Sequence, residues 1–208
     1  MRERLPQPAE RSPKYQAILN AAGGLFLREG YAAVAMDAIA REAGVSKATL
    51  YGHFTGKDAL FGAVVAERCA AMIEQGLLDI GHEIPVGESL RRIMDFWLRF
   101  MLSPGVVGTY RIVLAEGGRF PDLARAFFEA GPAISLAWVR DWMAEEQRRG
   151  RLRPDFEPQV AATQFFALLR GALYVKVTLG LMPSPTDEQI AAEVEAATDT
   201  LLRAFAAP

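Results

Sequence analysis

Ser46, Lys47, Thr49, Tyr51 and His53 fall within a span of eight residues, Lys57 follows closely, and no carboxylate occurs between Ala43 and Thr55. Each of these side chains can donate a hydrogen bond, and the two lysines are cations at neutral pH. Donors gathered without an acid suit a polyanion, above all the phosphates of a nucleic acid. Leu50 and Phe54 are four residues apart and face inward if the stretch is helical. At about 100° per residue, Ala48 and Gly52 then point most directly outward, flanked by Lys47, Thr49 and Tyr51. Small residues on an outer face let a backbone approach base edges closely, as a helix in a DNA major groove must.

Met36–Phe54 therefore reads as a helix-turn-helix. Ala40 is small where the two helices cross, Gly44 can take the left-handed conformation of the turn, and Ser46 is placed to cap the second helix. Lys47, Thr49 and Tyr51 are candidate phosphate donors, and Thr49 could also bond a base edge. Ala48 can touch a thymine methyl. Lys57 adds a cation at the next helix N-terminus, where free backbone N–H groups already favour an anion. His53 is either a phosphate donor or a residue that stabilises the turn. A plain corner between two bundle helices would share the glycine turn, but it would not need the missing carboxylates or the nearby cations.

The elements that must position this stretch are all helical. Of the 208 residues, 51% are hydrophobic, enough for a full core. Ile18, Ala22, Leu25 and Phe26 recur at helical spacing up to Gly30, despite Gly23–Gly24. A second short helix carries Met36, Ile39, Ala40 and Ala43. Thr55 with Asp58 resembles a capping box opening a long helix toward Ile80. Further helices are expected over about 87–102, 104–116, 121–150, 157–180 and 187–206, with Gly131–Pro132 kinking or splitting the third of them. No strand pattern stands out. The expected organisation is all-α: a disordered arm (1–12), a helix-turn-helix DNA-binding domain (13–56) and a larger helical domain (57–208). Residues 1–60 hold 8 Lys/Arg against 6 Asp/Glu, whereas the remainder holds 15 against 19. The basic excess thus lies at the end that carries the motif.

Other chemistries find little support. His53 and His82 are the only histidines and Cys69 the only cysteine. Neither histidine has a metal-binding spacing, so no metal and no cofactor is expected. No nucleophile elbow or phosphate-cradling glycine loop is present, which argues against an enzyme. Cys69 follows Arg68, which could lower its pKa and make it a redox sensor, but apolar helical neighbours favour a buried inert thiol. The opening MRERLPQPAERSPKY lacks the apolar core of a signal peptide, and no charge-free run approaches the roughly 20 residues of a spanning helix. A cytoplasmic protein without membrane contact is expected.

The segments ILNAAGGLFLREGY, MDAIAREAGVSKATLYGHF and GKDALF, spanning about Ile18–Phe61, occur in the order and spacing typical of the TetR family of bacterial transcriptional regulators, which the chain resembles. YRIVLAEGGRFPDLARAFFEAGP and FFALLRGALYVKVTLG are similar to its AefR-like subgroup. The resemblance implies a homodimer, repressor action on a double-stranded DNA operator, and a C-terminal domain that dimerises and binds a small effector. It assigns DNA contact to Lys47, Thr49, Tyr51 and Lys57, with Ser46 as the cap. Two positions depart from the family. Val34–Ala35 stands where hydroxyl residues are usual, so the second helix lacks its side-chain cap. Gly52 replaces a usually larger residue, which implies fewer base hydrogen bonds and more reliance on methyl contact and DNA shape.

The resemblance also implies an effector pocket, for which Trp97, Met101, Tyr110, Trp138 and Phe166 are the candidate lining and Arg170 the candidate polar anchor. Such a lining suits a mostly apolar ligand. The last two expected helices offer Phe165, Leu168, Leu169, Ala172, Leu173 and Val175, then Ile190, Val194, Ala197, Leu201 and Phe205, as a dimer surface. Two-fold symmetry would set two reading helices roughly 34–36 Å apart on a near-palindrome. The competing reading is a helical ligand-binding or interaction module without DNA binding. It accounts for the aromatic residues of the C-terminal half but not for residues 43–57.

Overall fold

A computed structural model of the chain describes residues 12–76 and 84–207, with side chains described up to residue 71 and from 84 onward. The described residues form eleven α-helices. Their only extended pairing is an isolated bridge between Leu152 and Ala206. The fold is all-α, as expected. No single described helix is long and apolar enough to cross a membrane.

The N-terminal head consists of α1 (Pro13–Glu29), α2 (Met36–Glu42) and α3 (Lys47–His53), completed by the first turns of α4 (Lys57–Gly76). Ser12, expected in the arm, is the α1 cap: its side chain accepts from the Tyr15 N–H. The rest of the proposed arm lies outside the described residues. Inside α1, Gly23 has a purpose. A Cβ there would come within 3.3 Å of a Val64 methyl, so the glycine lets α1 lie tightly on α4. The head core joins Ile18, Ala22 and Phe26 of α1 to Ile39 of α2, Leu50 of α3, and Leu60 and Phe61 of α4. Leu123 of α7 (Pro121–Ala130) belongs to the same core, so the head is packed directly onto the helices that follow.

Ala35 occupies the α2 N-cap with no side-chain hydrogen bond, as the Val34–Ala35 departure implies. Its φ of −95° and ψ of 145° are those a capping serine adopts, and it is exposed. Ala35→Ser is therefore expected to stabilise the protein by about 1 kcal/mol. A thermal melt should rise by roughly 2–4 °C.

Thr55 does not head α4 in the expected way. The first helical hydrogen bond runs from the Leu60 N–H to the Gly56 carbonyl, which puts Gly56 at the cap. The expected end of that helix, near Ile80, lies outside the described residues.

The larger domain comprises α5 (Val86–Leu102), α6 (Pro104–Glu116), α7, α8 (Pro132–Arg148), α9 (Pro158–Leu169), α10 (Ala172–Thr178) and α11 (Asp187–Phe205). Gly131–Pro132 splits α7 from α8, as the proline rule requires. The 157–180 element is not one helix. It breaks at Arg170–Gly171, and α9 and α10 meet at a 61° bend.

Sequence reading placed the apolar residues of α9 and α11 on a dimer surface. Most of them face the other way. Phe165, Leu169, Ile190, Val194, Ala197, Leu201 and Phe205 are buried within the single chain, around Ile93, Met94 and Trp97. The bundle needs these side chains for its own core. The outer faces carry Val160, Thr163 and Ala167 on α9 and Ala192, Ala196 and Thr200 on α11. These are mostly small residues, which give hydrophobic periodicity little to detect.

Candidate nucleic-acid interface and effector cavity

The turn from α2 into α3 is built by its glycine. Gly44 sits at φ 66°. Its N–H reaches the Arg41 carbonyl and that of Val45 reaches Ala40, the pair of bonds that closes a helix through a left-handed residue. Ser46 then opens α3. Its Oγ accepts from the Thr49 N–H at 3.1 Å and lies 2.8 Å from the Thr49 hydroxyl. Leu50 and Phe54 are buried, and Tyr15 of α1 packs against the Phe54 ring at 5.3 Å.

This anchoring leaves Lys47, Ala48, Tyr51, Gly52 and His53 exposed, with Thr49 half-buried. The outer face therefore holds donors and small residues and no acid. A Cβ built on Gly52 meets no heavy atom within 4 Å. Lys47 reaches back to Asp37 at 2.5 Å, but both side chains are at least half exposed. Such a surface pair is worth at most about 1 kcal/mol, so Lys47 can exchange it for a phosphate cheaply. The His53 ring meets Tyr15 edge-on at 5.6 Å, which favours its turn-stabilising role while leaving it exposed.

Lys57 is positioned differently from its expected role as a free phosphate donor. Its Nζ donates to the carbonyls of Tyr31 (2.6 Å), Val34 (2.9 Å) and Ala32 (3.3 Å). It also lies 4.4 Å from the centre of the Tyr31 ring. An ammonium has three protons, and three carbonyls already take them. Burial pushes its pKa down, opposed by the charge of Glu116.

Glu116, at the end of α6, holds the other side of the same turn. Its carboxylate accepts from the N–H groups of Tyr31 (2.8 Å) and Ala32 (2.7 Å). Gly30, at φ 81°, makes room: a Cβ there would stand 3.1 Å from the carboxylate. The α1–α2 turn is thus gripped by its carbonyls from α4 and by its amides from α6. Tyr31 is itself packed among Phe26, Phe61 and Phe120. Burial first, then the charges of Asp58, Asp122 and Glu116, push its hydroxyl pKa up to about 12. Sequence reading missed Glu116, whose partners lie 84 and 85 residues away.

Helices α4 to α10 line a partly open cavity of about 100 Å³. Of the residues proposed to line an effector pocket, Trp97, Met101, Tyr110, Phe166 and Arg170 are in its wall. Trp138 is not: it is half-buried against the bundle core, and α8 meets the cavity through Pro132, Ser135 and Leu136. Sequence reading missed Arg68, Thr109 and Tyr174. The Arg68 Nη1 donates to the Gly105 carbonyl and the Thr109 hydroxyl, both at 3.0 Å. Cys69 also lies in the wall, and burial pushes its thiol up to about 11, only partly opposed by Arg68. A thiol so strongly held in its protonated form is a poor nucleophile.

A serine-capped helix standing clear of a small helical head, joined to a hollow helical bundle, defines a helix-turn-helix transcriptional regulator. Comparison with known proteins gives the same answer. Residues 18–64 match the tetR family of bacterial regulatory proteins, and residues 88–207 match the AefR-like transcriptional repressor C-terminal domain. The chain belongs to the TetR family. It is 28% identical over 169 residues to the HTH-type transcriptional regulator UidR of Escherichia coli K12, covering 79% of this chain and 82% of that protein. The structure of the flavonoid-responsive regulator FrrA is 36% identical, with a TM-score of 0.75 over 93% of this chain and 97% of that one. A TetR-family regulator from Mesorhizobium loti MAFF303099 shares the fold, with a TM-score of 0.82 at 24% identity over 95% and 99% of the two chains.

Proposed function

We propose that the protein is a cytoplasmic, homodimeric repressor. It holds a near-palindromic DNA operator through two copies of α3 and releases it when a small, mostly apolar ligand fills the cavity. The observation that carries this reading is the outer face of α3: exposed Lys47, Tyr51 and Gly52, no acid, and a rigid cap at Ser46. Lys47, Thr49 and Tyr51 bind phosphate, and Ala48 and Gly52 face the bases. Lys57 acts as a clamp on the head rather than as a phosphate donor. The apolar wall of the cavity supports the ligand, and FrrA, by its name, responds to flavonoids, which are aromatic molecules. Dimerisation uses the small-residue outer faces of α9 and α11.

The route from ligand to DNA follows the same contacts. The cavity is walled by α4 and α6, the two helices whose Lys57 and Glu116 grip the α1–α2 turn. A ligand that binds better when these helices are displaced alters the grip and tilts the head. The two reading helices then no longer match their half-sites.

Selection of bound duplexes from random DNA tests the reading. The expected result is a near-palindrome with half-sites about one helical turn apart, retained in a strongly salt-dependent way. A chain that retains no duplex at low ionic strength is the helical ligand-binding module without DNA binding, and the proposal fails.

A further inference from the structure

The cavity wall is apolar in bulk, yet its polar groups are chemically one-sided. It contains two arginines, Arg68 and Arg170, and no aspartate or glutamate. Its Thr109 and Ser135 hydroxyls already donate to the carbonyls of Gly105 and Gly131. The Trp97 indole is only 1% exposed, and its Nε1–H has no acceptor among the described residues. An indole nitrogen can only donate, and leaving such a donor buried and unpaired is costly.

Arg68 also has donors to spare, but on a half-buried side chain rather than a fully buried one. Two N–H groups of its Nη1 are used by Gly105 and Thr109, while Nε and Nη2 have no acceptor among the described residues. No described carboxylate pairs with it. The side chain is half-buried, and burial lowers its pKa. A wall with surplus donors and surplus positive charge is complementary to an acceptor that carries negative charge.

We propose that the ligand of this cavity is an apolar acid, an aromatic carboxylate by class. Its ring system lies among Trp97, Phe100, Tyr110 and Phe166, and its anionic oxygens meet the Arg68 guanidinium and the Trp97 Nε1–H. The proposal deepens the reading of the cavity as an effector site and rests on it. A purely hydrocarbon ligand would leave both donors unpaired and would further desolvate Arg68. An anion satisfies them in one step.

Three probes with one ring system separate these cases: naphthoic acid, its methyl ester and methylnaphthalene. Their affinities are measured on the full chain without DNA, by calorimetry or by quenching of tryptophan fluorescence. The acid is expected to bind at least about tenfold more tightly than the ester, and the ester more tightly than the hydrocarbon. Trp97→Phe keeps an aromatic ring, smaller than the indole, and removes the N–H. It should weaken the acid about tenfold more than it weakens methylnaphthalene. The proposal is overturned if the hydrocarbon binds as well as the acid, if no probe binds, or if Trp97→Phe weakens the acid and methylnaphthalene alike. The probe comparison needs no variant, so a folding defect cannot obscure it. Because no DNA is present, failure of operator binding would sink the proposed function and leave this measurement standing.

Discussion

Lys57→Met is expected to lower the melting temperature of the free protein by roughly 4–12 °C, whereas Lys47→Met leaves it nearly unchanged. The two lysines lie ten residues apart and both flank the reading helix, but their surroundings differ. Lys57 gives three charge-assisted hydrogen bonds to the carbonyls of one turn and sits against an aromatic ring. Methionine retains the stem and removes the charge, which costs about 2–3 kcal/mol, or 2–4 °C per kcal/mol in a chain of this size. The Lys47 side chain is 66% exposed and pairs only with an exposed Asp37. Its loss should change stability by less than about 0.5 kcal/mol. DNA binding should rank the variants differently. Lys47→Met should weaken every operator alike and flatten the slope of log affinity against log salt by about one unit per reading helix. For Lys57→Met, most of the weakening should disappear once the fraction folded is taken into account. A salt slope reduced by Lys57→Met to the same extent would make it a phosphate donor after all.

Glu116→Ala is expected to break communication while sparing both binding sites. Glu116 is outside the cavity wall, so ligand affinity measured without DNA should hold. Its bonds go to the α1–α2 turn rather than to α3, and the folded head should still bind DNA. What it supplies is the bond from α6 to the N–H groups of Tyr31 and Ala32. Without it, a displacement of α6 no longer pulls the head. Coupling between ligand and operator, typically 1–3 kcal/mol in allosteric proteins, should fall toward zero. The measurement is operator affinity with and without saturating ligand. Linkage requires the converse to fail equally: operator DNA should cease to affect ligand affinity. Glu116→Gln keeps one acceptor oxygen in place and should fall between the two. An Ala variant with full ligand response would show that the signal travels through α4 alone.

The head was readable from sequence because its determinants are local. Gly44, Ser46, Leu50 and Phe54 lie within eleven residues, and each follows from turn, cap or helix-face chemistry at short spacing. The α7–α8 break was equally plain, since a proline inside a helix has few alternatives. The α9–α10 break has no such marker. Gly171 alone costs a helix only about 1 kcal/mol, and its φ of −66° requires no glycine. The surroundings of Lys57 and the contacts of Glu116 escaped the sequence reading for a common reason. The environment of Lys57 is a set of carbonyls 23 to 26 residues upstream, and the partners of Glu116 are farther still. One sequence carries no trace of such pairings. The faces of α9 and α11 were reversed because apolar periodicity reports burial and cannot distinguish a chain's own core from a partner.

Gly52 bears on how such a protein could change allegiance. The position faces outward on the reading helix with unoccupied space around it, and its backbone is ordinary α-helix rather than a conformation reserved for glycine. Almost any side chain could be written there without disturbing the scaffold, and most would raise helix propensity by up to about 1 kcal/mol. On the proposed reading of α3, a single codon could therefore add a base-reading group and redirect the protein to new promoters without disturbing the fold.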